Sequence, residues 1–200
     1  MWYIGSELSL ASIRTKGVDV LLRAAQLVLR AAPQIRFVIV GDGPERSALE
    51  ALASDLGISA QIEFCGPRLD GPALVASLDI LVIPSRTEGT PLVISEAWGS
   101  KVPVVAARVG GIPERVVHNL NGLLFPGEDF VALASALEDL ISSPARIAAL
   151  VCAGQHEVSS RGPSEVLATI ERTYSAAEHS RGALPSIAEG ASRRAHRGFD

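Results

Sequence analysis

The sequence predicts an α/β fold, a doubly wound and mostly parallel sheet with helices on both faces. Three observations predict it. Short apolar runs alternate with longer stretches of helical period, the order expected of strands and crossover helices in a parallel sheet. The runs are apolar almost throughout rather than at every second residue, so both faces of the sheet are covered. Several runs end in turns rich in Gly and Pro that hand over to a helix, as at Gly41-Asp42-Gly43-Pro44 and Gly89-Thr90-Pro91.

Trp2 to Ile4 is the first strand, followed by a polar stretch to Lys16. Leu21, Leu22, Ala25, Val28 and Leu29 share one face of a helix from Val18 to Ala32. Ile35 to Val40, rich in β-branched residues and too short for a helix, is a strand, and Pro44 opens a helix to about Leu56, with Gly57 past its end. Gln61 to Cys65 is a strand, Pro72 to Ser77 a short helix and Asp79 to Ile83 a strand. Pro91 begins a helix to Trp98 that Gly99 closes, Val102 to Ala106 is a strand, and Pro113 to Val117 is a short helix. Leu123 to Phe125 is a strand after the Asn121-Gly122 turn. Helices follow over Asp129 to Ile141, Ala145 to Glu157 and Ser164 to Tyr174. Residues 1–174 are therefore read as one domain. Residues 175–200, rich in Ala, Ser, Gly, Arg and Glu, are read as a disordered tail.

Composition narrows the partners. A net charge of −4 with mixed signs offers no basic stripe to neutralise nucleic-acid phosphates. Although 48% of residues are hydrophobic, no apolar run approaches the roughly 20 residues of a membrane span. The start, MWYIGSELSL, lacks the charged and apolar regions of a signal peptide, so the expected compartment is the cytoplasm. Cys65 and Cys152 form no metal-ligand spacing and read as reduced thiols. None of the four histidines is assigned to catalysis.

Ligands of open parallel sheets bind at the carboxyl ends of the strands. The segment Ser85 to Leu92 joins a buried strand to a helix whose first amides lack internal partners, which makes it an anion site. Glu88 precedes that helix and Glu96 lies about five residues inside it, so two carboxylates bracket the anion site and suit hydroxyl-bearing groups on either side of a pyrophosphate.

Glu88 and Glu96, with seven residues between them beginning Gly89-Thr90-Pro91-Leu92, form a motif that resembles the EX7E motif of the group-4 retaining glycosyltransferases of GT-B fold. Lys16-Gly17-Val18-Asp19, Val40-Gly41-Asp42-Gly43-Pro44-Glu45, Phe64-Cys65-Gly66, Ile83-Pro84-Ser85, Val109-Gly110-Gly111-Ile112-Pro113-Glu114 and Asn121-Gly122-Leu123-Leu124-Phe125 agree with it in order. The resemblance implies a Rossmann-like, donor-binding C-terminal half of a GT-B enzyme, without its acceptor half. It implies that Glu88 holds donor-sugar hydroxyls, Glu96 the ribose, and the amides of Gly89, Thr90, Pro91 and Leu92 the sugar and phosphates. Lys16 would contact the diphosphate, Gly41 and Gly43 would line the nucleotide cleft, and Phe64 to Arg68 would border the base. The family has Gly-Arg after its first strand where this chain has Gly5-Ser6, and Arg14 is the candidate replacement cation.

The reaction implied is transfer of a sugar from its nucleotide diphosphate with retention. Positive charge grows on the sugar ring and negative charge on the leaving phosphate, which Lys16, Arg14 and the helix amides would stabilise. No Asp-x-Asp and no metal-spaced cluster occurs, so a metal-independent reaction with no cofactor beyond the nucleotide sugar is expected. A dinucleotide-dependent redox enzyme is the first rival, but Gly41-Asp42-Gly43-Pro44-Glu45-Arg46 has Arg where the fingerprint needs Gly or Ala. The second rivals are a donor-binding subunit of a split two-chain enzyme and a non-catalytic truncated fragment.

Overall fold

The structure is a computed structural model and describes residues 16–160 together with the backbone of residues 2–4. The expected helix from Ser164 to Tyr174, the tail and Arg14 lie outside the described residues. Six strands form one sheet: β1 (Trp2–Ile4), β2 (Phe37–Val40), β3 (Ile62–Gly66), β4 (Ile80–Ile83), β5 (Val104–Ala107) and β6 (Leu123–Phe125). All neighbouring pairs are parallel, in the order β3-β2-β1-β4-β5-β6. The helices are α1 (Val18–Ala31), α2 (Arg46–Asp55), α3 (Gly71–Ala76), α4 (Val93–Gly99), α5 (Phe130–Ser142) and α6 (Pro144–Ser160).

The alternation of side chains along each strand explains why the strands read as unbroken apolar runs. Phe37, Ile39, Ile80, Val82, Val105 and Phe125 face α1, α2 and α5 in one core cluster. Val38, Val40, Leu81, Ile83, Val104 and Leu124 face α3 and α4 in the other. Each face is thus a separate core, and a polar residue at either parity would be buried. Leu21, Leu22 and Val28 of α1 and Leu133 and Leu137 of α5 are fully buried. Each such side chain contributes roughly 1.5–3 kcal/mol on burial, and the α1–α5 contact therefore fixes the amino end of α1. Helix α6 places Leu150 in the first cluster and Val158 against the second. Between them Gly154 lies on Trp98, where a Cβ would meet the indole at 2.3 Å. The buried Trp98 Nε1–H donates to the Asn121 carbonyl at 2.9 Å.

Several boundaries differ from expectation. The strand expected from Ile35 begins at Phe37 because the Ile35 amide closes a turn on the Ala32 carbonyl. The helix expected from Pro44 begins at Arg46, after a turn from the Arg46 amide to Gly43. Helix α4 begins at Val93, two residues after Pro91. Gly99 is its last residue rather than its stop: the left-handed residue is Lys101 (φ 64), and the Val102 amide reaches back to the Ala97 carbonyl. The segment expected as a helix from Pro113 is a 3-10 turn over Ile112–Glu114.

The strand order reverses between β1 and β4. Chain leaving β1 returns through α1 on one face, and chain leaving β4 returns through α4 on the other, so their connections diverge and open a crevice at the carboxyl edge.

Candidate functional site

Two side chains meet over that crevice. Lys16, immediately before α1, places its Nζ 2.7 Å from Glu88 Oε1 in the connection after β4. Ser85 Oγ donates to the same oxygen at 2.8 Å. The side chains of Lys16 and Glu88 are only 18% and 13% exposed, which shelters the pair from solvent screening. Gly17 makes the approach possible. Its φ is 66°, and a Cβ there would stand 2.0 Å from the Pro84 carbonyl oxygen, so the backbone beside Lys16 lies directly on the exit of β4.

A second ion pair crosses the same divide. Arg86 donates through Nη1 and Nη2 to the two carboxylate oxygens of Asp19, both at 2.8 Å, and through Nε to Glu128 at 2.9 Å. The Arg86 hydrogen bonds hold the Asp19 carboxyl below its ordinary range against the opposing effect of burial. The guanidinium is correspondingly pushed up.

The loop from Glu88 to Thr90 rests on a pair of glycines after β5. The Gly111 amide donates to the Glu88 carbonyl at 3.2 Å. A Cβ on Gly110 would stand 1.8 Å from that carbonyl oxygen, and one on Gly111 would stand 2.5 Å from the Gly89 carbonyl. Held this way, Gly89, Thr90 and Leu92 are exposed, and their amides make no hydrogen bond among the described residues. Pro91 has no N–H, so the expected row of amides is interrupted there. With α4 starting at Val93, Glu96 lies in the first turn rather than five residues in. Its carboxylate takes no hydrogen bond or ion pair among the described residues.

Gly41 and Gly43 lie at the carboxyl end of β2. Gly41 has φ 120° and donates to the Gly66 carbonyl at 2.9 Å, and the Gly43 amide donates to Asp42 Oδ1 at 2.8 Å. Both amides are thus used within the chain. Arg46 donates to the Phe64 carbonyl and lies 5.9 Å from the Phe64 ring centroid, and Arg68 pairs with Asp70. Burial, with the neighbouring Glu63 carboxylate, pushes the Cys65 thiol up. His118 Nδ1 accepts from the Leu124 amide at 3.0 Å and so braces β6.

Residues 3–143 match the sequence family described as Glycosyl transferases group 1. The chain belongs to this family. A GDP-mannose-dependent alpha-(1-6)-phosphatidylinositol monomannoside mannosyltransferase of Mycolicibacterium smegmatis is 39% identical over 150 residues, 70% of this chain and 39% of the relative. A D-inositol 3-phosphate glycosyltransferase of Rhodococcus opacus is 42% identical over 147 residues, 68% of this chain and 32% of the relative. The chain therefore spans roughly a third to two fifths of these relatives. Among solved structures, the C-terminal domain of the group 1 glycosyl transferase LpcC of Francisella tularensis is similar with TM-score 0.68 and 28% identity, covering 80% of this chain and 83% of that one. Anabaena Alr3699/HepE in complex with UDP is similar with TM-score 0.77 and 29% identity, covering 88% of this chain and 48% of that one. The fold is that of the C-terminal domain of these group 1, GT-B glycosyltransferases.

Within this glycosyltransferase domain, Lys16, Glu88, Gly89 to Leu92 and Glu96 gather on the connections that flank the β1/β4 crevice. Gly41 and Gly43 stand one strand further along, at β2. Ser85, Arg86, Asp19, Gly110 and Gly111 fall in segments singled out in the sequence, but the Ser85–Glu88 bond, the Arg86–Asp19 pair and the glycine cradle under Glu88 were not foreseen there. The adjacent glycines after a buried strand were the visible signal for the last. The ion pair joins residues 67 positions apart and leaves no local trace. Among the described residues no group of three or more His, Cys, Asp or Glu is placed to hold a metal, and no described helix is long and apolar enough to cross a membrane.

Proposed function

We propose that this domain binds a nucleoside diphosphate sugar over the β1/β4 crevice and supplies the donor side of a retaining sugar transfer in the cytoplasm. The observation that carries it is the meeting of Lys16 and Glu88 from opposite sides of the switch point, beside the exposed amides of Gly89, Thr90 and Leu92. A diphosphate seated there draws the Lys16 ammonium and the amides onto its oxygens. Glu88 then turns to hydroxyls of the sugar, and Glu96, which carries no partner of its own among the described residues, takes the ribose hydroxyls.

As the bond from the anomeric carbon to the phosphate oxygen breaks, negative charge accumulates on the diphosphate. Lys16 and the fixed amides stabilise that charge more in the transition state than in the ground state, and Arg14 is proposed to add a second cation. In this scheme leaving-group charge falls on these groups rather than on a metal. A second domain or subunit is proposed to orient the acceptor; the chain spans about 39% of its GDP-mannose-dependent relative.

The test is a thermal-shift screen with GDP-mannose, UDP-glucose and an adenosine diphosphate sugar, followed by a transfer assay with generic acceptors. At least one donor raises the melting temperature by mass action, and the lone chain gives slow hydrolysis at most. Efficient transfer by the chain alone, or no stabilisation by any donor, overturns the proposal.

A further inference from the structure

Resting on donor binding at this site, we infer that Arg86 is a positioning residue that holds Lys16 and Glu88 in register across the switch point. One guanidinium joins three connections. Its two Nη atoms take both oxygens of Asp19 at 2.8 Å, and its Nε takes Glu128 at 2.9 Å. Asp19 lies three residues after Lys16 in the first turn of α1, and Arg86 lies two residues before Glu88. Each partner of this ion pair therefore sits within one turn of chain of a proposed donor ligand, on opposite sides of the crevice.

The planar fork matters. A bidentate pair fixes orientation as well as distance, whereas a lysine offers one point charge on a flexible stem and cannot bridge Asp19 and Glu128 with the same geometry. Glu128 adds an independent sign of constraint. It is a non-glycine residue at φ 65°, a conformation that persists only where surrounding contacts impose it, and its carboxylate is bound to Arg86. The loop after β6 is thereby tied to the loop after β4. Among the described residues no backbone hydrogen bond joins the Lys16–Asp19 segment to the Ser85–Glu88 segment, and the connections after β1 and β4 leave on opposite faces of the sheet.

Calorimetric titration of the full chain with GDP, GDP-mannose, UDP and UDP-glucose tests it, comparing wild type with Arg86→Gln, Arg86→Lys, Asp19→Asn and the double variant. The control is Arg146→Gln, which breaks the Asp139 pair between α5 and α6, away from the crevice. For whichever nucleotide sugar the wild type binds, Arg86→Gln and Asp19→Asn each weaken affinity by roughly tenfold, Arg86→Lys restores part of it, and the double variant is no weaker than the worse single one. Arg146→Gln lowers the melting temperature yet leaves affinity within about twofold, since it lies outside the coupled network. A purely structural role predicts that affinity follows melting temperature in all variants alike, and that result overturns the inference. So does wild-type affinity in Arg86→Gln. If Arg86→Gln does not fold, Asp19→Asn, which leaves the Glu128 contact in place, carries the same test. A wild type that binds none of these four compounds and no adenosine diphosphate sugar overturns the donor site itself and this inference with it. Binding that survives unchanged in the variants overturns the inference alone.

Discussion

Gly110 lies so close to the peptide of Glu88 that a methyl group at its α-carbon would stand 1.8 Å from the Glu88 carbonyl oxygen. The Glu88 backbone is therefore limited on one side by a residue on a different strand connection, through contact alone.

Gly110→Ala is expected to destabilise the domain by roughly 2–4 kcal/mol, combining the left-handed backbone (φ 51°) with overpacking against a peptide that must move. Urea denaturation measures it. Donor affinity falls in the same variant because Glu88 is displaced, and a variant as stable as wild type would show that the cradle yields freely.

Glu88 and Glu96 should separate by ligand. Glu96→Ala weakens binding of the nucleoside diphosphate itself, by roughly 1.5–3 kcal/mol for lost hydrogen bonds to a charged group. Glu88→Ala weakens the sugar nucleotide but spares or improves the bare diphosphate, because it releases Lys16 from its 2.7 Å partner. Equal effects of both substitutions on both ligands, seen by calorimetry, would count against the assignment.

Lys16→Ala should lose affinity for the diphosphate far more than for the nucleoside, since an ammonium recognises phosphate oxygens and not the base. Matched titrations of GDP and guanosine, and of UDP and uridine, read the difference. Unchanged diphosphate affinity removes Lys16 from the site.

Asp19 links stability to acid. Its folded carboxyl lies below the ordinary value of 3.8 because Arg86 hydrogen-bonds the ionised form. The stabilisation is therefore fully present above the unfolded value and is lost as pH falls through the lowered folded one. Asp19→Asn should flatten the acid limb of the stability curve as pH falls below the ordinary carboxyl value of 3.8 while leaving its shape at neutral pH unchanged. Denaturant midpoints across that range decide it, and an identical acid limb in both proteins would rule the linkage out.

Lys101→Gly should stabilise the chain by about 0.5–1 kcal/mol, because glycine takes the left-handed position after α4 without steric penalty. Lys101 holds φ 64° there. A melting temperature that falls rather than rises would mean that the lysine side chain contributes more than its backbone costs.

The layered architecture was legible because it is written locally. Phe37–Val40, Ile80–Ile83 and Val104–Ala107 are buried at every position, and α1 carries its apolar face at helical spacing. The candidate ligands Lys16 and Glu88 were legible as motif residues, and the structure brings them together. What escaped depends on distant contacts. Pro91 satisfies the local preference for a first helical position, yet it closes a lead-in turn in which the Ile94 amide bonds its carbonyl at 3.3 Å, because Gly110 and Gly111 hold the preceding loop down. Gly99 has the residue type of a helix stop, but the buried Trp98, tied to the Asn121 carbonyl, carries the helix through it and leaves Lys101 to make the bend.

Among the described residues, the three-residue β1 is the strand that pairs the half-sheet of β2 and β3 with that of β4, β5 and β6. Lys16 belongs to the chain that leads from β1 to β2 in the first half, and Glu88 to the chain that leads from β4 to β5 within the second. Where β1 pairs with β4 the hydrogen-bonded seam is short, and opening of that seam would change the gap between the two residues. Its amide exchange rates would report on the crevice directly, with occupancy of the crevice slowing exchange in β1 and β4 before it is felt at β3 or β6.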